Sequence, residues 1–108
     1  MKTIIKPIAF LGAVLAMGAA STGVAQERSG EQIYNNYCST CHMIGAAGAP
    51  KLDAADEWQS RVDARGREGL YENSINGFKG MPPKGTCGDC SEAEMKVAVD
   101  YMLDEALK

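Results

Sequence analysis

The chain contains one histidine, and it closes the run Cys38-Ser39-Thr40-Cys41-His42. No other feature restricts the fold so tightly. Two cysteines separated by two residues present their sulfurs at a spacing that suits the two vinyl groups of a porphyrin. The histidine directly after them then reaches the iron from one axial side, the CxxCH pattern of covalent c-type heme attachment. A zinc ribbon would use both CxxC pairs, Cys38/Cys41 and Cys87/Cys90, but would leave His42 without a role, and the inner cysteines lie 46 positions apart. A thioredoxin-like dithiol calls for a βαβ context, which the sequence lacks.

The second pair, Cys87-Gly88-Asp89-Cys90, is followed by serine and so does not predict a second heme. In an oxidising compartment two spare cysteines three positions apart most simply form a local disulfide, with Gly88 easing the turn. A redox-active dithiol is the alternative.

An oxidising compartment is indicated by the start of the chain. Lys2 and Lys6 precede an apolar run from Ile8 to Ala20, and Gly23 and Ala25 occupy the positions of a small-residue cleavage site. These are the parts of a secretory signal peptide, expected over 1–25, and the run is too short to span a bilayer. The remaining domain, 26–108, has nine basic and fourteen acidic residues. That balance argues against nucleic acid as a partner. A domain of 83 residues buries a modest core and commonly needs a staple.

Helical spacing dominates the rest. Ser29 with Gln32 reads as a capping box for a helix from about residue 30 that delivers the chain into Cys38. Ile44 to Pro50 reads as a loop. Asp53 is expected to cap a helix with Trp58 and Val62 that ends near Gly66, and a third short helix ends at Asn76-Gly77. Gly77 to Asp89 is too rich in glycine and proline for regular structure. Ser91 with Glu94 opens a last helix with Met95, Val99 (or Ala98), Met102 and Ala106 along one stripe. The prediction is an all-α fold of three to five short helices.

Four methionines follow the export segment. Met43 directly follows His42 and cannot swing to the opposite face of the same heme, while Met95 and Met102 read as core of the last helix. Met81, in Gly80-Met81-Pro82-Pro83, has stiff prolines after it and no helix to commit its side chain, and is the expected sixth ligand. Pro50 offers a carbonyl to the second ring nitrogen of His42, or is only a turn residue.

Taken in order, Gly30-x-x-x-Tyr34, Cys38-x-x-Cys41-His42, Ala49-Pro50-Lys51-Leu52, Trp58-x-x-Arg61, Gly80-Met81-Pro82-Pro83-Lys84-Gly85 and Cys87-x-x-Cys90 resemble the class I c-type cytochromes, specifically the bacterial cytochrome c5 branch. The resemblance spans the whole domain. It implies the small class I cytochrome c-like fold around one covalent heme c, with Gly30 and Tyr34 crossing the last helix near Tyr101. It further implies Pro50 as acceptor for His42, Trp58 and Arg61 along the heme and its propionate edge, and Cys87–Cys90 as a structural disulfide. For Arg61 a solvated helical arginine stays open.

The expected function is a soluble periplasmic one-electron carrier, not an enzyme, serving redox protein partners in the periplasm or membrane. Met43, Ile44, Ala46, Ala47 and Pro82 are expected to border the edge where those partners dock. A heme peroxidase, which needs an openable sixth position, and a sensor that switches at Met81 or at Cys87/Cys90 are the competing classes.

Overall fold

Ser29 starts the first helix with a reciprocal pair of bonds: its hydroxyl accepts from the Gln32 N–H at 3.1 Å, and the Gln32 side chain accepts from its own N–H at 2.9 Å. The computed structural model describes residues 27–108, and the expected signal segment, 1–25, lies outside them. Helix α1 (Gly30–Ile33) passes without interruption into a π-helical turn, Tyr34–Cys38, and then into α2 (Ser39–His42). The sequence predicts regular helix here. A π turn holds an extra residue, so everything after it is rotated by roughly 100° about the axis. Cys38, at the end of that turn, still packs against the core clusters that hold Ile33 and Tyr34.

A 3-10 turn, Ala46–Gly48, leads toward α3 (Ala55–Asn76). Asp53 does not cap α3, contrary to expectation: Ala54 holds the cap position and no side chain bonds there. The Ala54 N–H instead donates to the Lys51 carbonyl at 2.9 Å, which folds Asp53 into a turn ahead of the helix. Asp56 and Glu57 supply negative charge to the first turn in its place. Gly66, at φ 71° and ψ 167°, splits α3 where the sequence placed a helix end, in a conformation that side-chain-bearing residues avoid. The last helix, α4 (Glu92–Ala106), opens on the Ser91/Glu94 capping box.

Helix α1 crosses α4 at Gly30, where a Cβ would fall inside the van der Waals envelope of the Val97 carbonyl. One turn later the rings of Tyr34 and Tyr101 meet with centroids 5.5 Å apart. Two core clusters flank this crossing. One joins Tyr34, Trp58, Leu70, Val99, Met102 and Leu103. The other joins Ile33, Cys87, Cys90, Met95 and Ala98, so the second cysteine pair is itself core. The segment between α3 and α4 is irregular apart from an isolated antiparallel bridge between Phe78 and Met81. It is pinned by bonds from the Lys84 N–H to the Ser74 carbonyl (2.8 Å) and from the Thr86 hydroxyl to the Tyr37 carbonyl (2.6 Å).

Candidate functional site

Sharp backbone turns bring the chain back over His42. Gly45, Ala47 and Gly48 all adopt positive φ, at 78°, 54° and 82°. The Leu52 N–H then donates to the His42 carbonyl at 2.8 Å. This return sets the Pro50 carbonyl 2.8 Å from His42 Nδ1. A carbonyl only accepts, so Nδ1 carries the proton and Nε2 keeps its lone pair. Burial lowers the imidazole pKa, the Pro50 bond works against that shift, and the Arg61 charge adds to it. His42 is therefore neutral near pH 7, the form that ligates a metal.

Trp58 stands on the first turn of α3 and donates its indole N–H to the Lys51 carbonyl at 2.9 Å. Its ring lies 5.6 Å from that of His42, so the loop and α3 fix the histidine plane from two sides. On the N-terminal side, Cys38 and Cys41 are free thiols. Burial, followed by the neighbouring Cys41, pushes the Cys38 thiol up to about 11.

These groups share one cavity of about 270 Å³. Its wall includes Cys38, Cys41, His42, Pro50, Trp58, Arg61 and Met81, the seven heme-site residues singled out in the sequence. Cys87 and Cys90 lie elsewhere, joined as a disulfide in the second core cluster. The wall also includes residues that the sequence did not assign to the heme, among them Leu70, Asn73, Phe78, Val99 and Met102. Their helical periodicity marks Leu70, Val99 and Met102 as inward-facing, but periodicity does not separate packing on protein from packing on a bound group.

The wall fits a heme. It is largely apolar, and the charged side chains on it are Arg61 and Lys79, both cationic, which suits a flat apolar group bearing carboxylates. Two free thiols stand beside a neutral imidazole whose unprotonated nitrogen is available. Met81 lines the same cavity from the segment between α3 and α4, and its methyl carbon has room beside Gly85, where even an added Cβ would stay 3.6 Å away. Cys38, Cys41, His42 and Met81 would hold such a group.

Known proteins resemble this chain in both sequence and fold. The family described as "Cytochrome C oxidase, cbb3-type, subunit III" matches residues 25–102. Cytochrome c5 of Azotobacter vinelandii is 45% identical over 76 residues, a stretch covering 69% of this chain and 92% of the relative. Cytochrome c5 of Ectopseudomonas mendocina is 41% identical over 85 residues, covering 78% of this chain and 97% of the relative. Among solved structures, a chain from the crystal structure of an electron transfer complex of nitrite reductase with cytochrome c aligns with a TM-score of 0.67. The two are 36% identical, and the match covers 75% of this chain and 99% of that one.

Proposed function

The chain belongs to the class I c-type cytochromes, in the cytochrome c5-like branch, and is an electron carrier with one covalent heme c; from that premise we propose that it is a periplasmic shuttle whose iron is held by His42 and Met81. One observation carries the reading: two free thiols, an imidazole with its Nε2 lone pair available and a thioether line the same apolar cavity. When bound, the heme supplies a reversible one-electron couple at iron. Cys38 and Cys41 would tether it by thioether bonds. The Pro50 carbonyl holds the His42 tautomer and ring orientation, which keeps the ligand basic. Met81 would supply a soft thioether sulfur to the metal, a ligand that raises the reduction potential and keeps substrates away. Arg61 offsets carboxylate charge at the rim.

Export motivates the periplasmic assignment, through the positively charged and then apolar start of the chain. Among the described residues no helix is long and apolar enough to cross a membrane. The inferred partners are redox proteins, and a structural relative solved in an electron transfer complex with nitrite reductase supports a reductase of that type among them. Met43 and Ile44, 61% and 72% exposed beside the attachment motif, offer an apolar contact for weak, brief docking.

Absorption spectra of both oxidation states test the ligand set. The wild-type protein is expected to be six-coordinate and low-spin in each state, with the weak far-red sulfur-to-iron band when ferric. Met81→Ala is expected to lose that band and to lower the potential, since a harder ligand then fills the position. Met102→Leu is the necessary control, because Met102 also lines the cavity. It should keep the band. A band that survived Met81→Ala and vanished with Met102→Leu would move the sixth ligand to α4.

A further inference from the structure

The turn that follows α2 and His42 touches the hairpin that carries Met81. Met81 closes a tight hairpin in which the Phe78 N–H donates to the Met81 carbonyl and the Met81 N–H to the Phe78 carbonyl, both at 2.9 Å. Lys79, at φ 53°, and Gly80 form its tip. On the histidine side, the Ala46–Gly48 turn is bonded at both ends, by the Gly45 N–H to the Cys41 carbonyl (2.8 Å) and by the Ala49 N–H to the Ala46 carbonyl (2.9 Å).

Gly80 packs directly on that turn. A Cβ added to Gly80 would stand 2.6 Å from the Ala47 carbonyl oxygen and 3.1 Å from the Ala47 Cβ. The obstructing atom is backbone, so no rotamer change relieves it. Gly80 is not among the glycines at positive φ, so its own backbone does not require glycine. Closeness does. Ala47, by contrast, is held left-handed at φ 54°, a conformation that non-glycine residues seldom adopt, and its carbonyl is the atom against Gly80. Each loop therefore has an unusual backbone conformation at or beside this contact, and Gly80 brings no side chain to it.

We propose that the Gly80–Ala47 contact is a latch that positions Met81. By lacking a side chain, Gly80 lets the Met81 hairpin seat against the turn after His42, which fixes the span between Met81 and His42. Gly80 is a positioning residue, acting on the iron only through Met81. The latch rests on the His42/Met81 reading above.

The test compares heme-loaded wild type, Gly80→Ala and the double variant Ala47→Gly/Gly80→Ala in the ferric state. Far-red absorption, reduction potential and affinity for added imidazole are measured beside thermal stability. Gly80→Ala should weaken the sulfur band, lower the potential and bind imidazole about tenfold more tightly than wild type, the scale on which overpacking acts. The double variant, with a smaller and more adaptable turn facing the new methyl, should recover much of the wild-type behaviour. If wild type shows the sulfur band and Gly80→Ala matches it in band, potential and imidazole affinity, the latch is overturned while Met81 ligation stands. If wild type itself lacks the band, the ligation reading falls and the latch with it. Should Gly80→Ala alone fail to assemble, recovery in the double variant supports the latch, and equal failure of both overturns it.

Discussion

Individual residues settle the protonation pattern. The Pro50 carbonyl assigns the His42 tautomer, and its candidacy was visible in the sequence because a loop rich in glycine and alanine ends there. Arg28 was not visible. It reaches Glu94 across 66 positions, with its Nε 2.9 Å from Oε2 and its Nη2 3.0 Å from Oε1, and its Nη1 donates to the Tyr37 hydroxyl at 3.2 Å. No local pattern announces a contact that only the α1–α4 crossing creates. The Arg28 side chain, then its backbone N–H, then that of Ser91 hold the Glu94 carboxyl at about 2, below its ordinary value of 4.5. A depressed carboxylate adds stability above its unfolded pKa and loses it as pH falls through the folded one. Unfolding midpoints of wild type and Glu94→Gln should therefore differ near neutral pH and converge as pH falls from about 4.5 toward 2. A difference that persisted undiminished at the acid end would show that the charge is not what stabilises.

Among the elements, helix starts were more legible than helix continuity. Ser29/Gln32 and Ser91/Glu94 announce α1 and α4 because a capping box is a local exchange of hydrogen bonds. The π turn at Tyr34–Cys38 left no local mark. Asp53 misled because a tight turn from Lys51 to Ala54 consumes it before α3 begins. The Cys87–Cys90 bridge closes a short ring within the Met81-bearing segment, just ahead of the α4 cap, and packs with Ile33 and Met95 outside the heme wall. Both sulfurs should resist alkylation until a reductant is added. Replacing both cysteines by alanine should cost on the order of 2 kcal/mol, the loop-entropy scale for so short a ring, and leave the heme spectrum unchanged. A spectrum or potential that shifted with the state of this pair would revive a redox-sensing role.

At the scale of the whole molecule, the cofactor and the core are hard to separate. Trp58, Leu70, Val99 and Met102 belong at once to the main core cluster and to the cavity wall. Sequence periodicity shows these residues facing inward and leaves out what they face. A small domain whose core closes on a cofactor folds with it. Replacing Cys38 and Cys41 by alanine should give a chain that releases its heme on acid-organic extraction and is largely unfolded by circular dichroism without it. Retention of covalent heme by that variant would remove the attachment site from these residues. The carrier reading itself turns on whether the sixth position is closed in the native protein. Carbon monoxide added to the reduced wild-type protein measures this directly. The account predicts little change in the spectrum, together with negligible peroxide turnover when ferric, whereas ready binding of carbon monoxide would mean an open iron and contradict a shuttle closed by Met81.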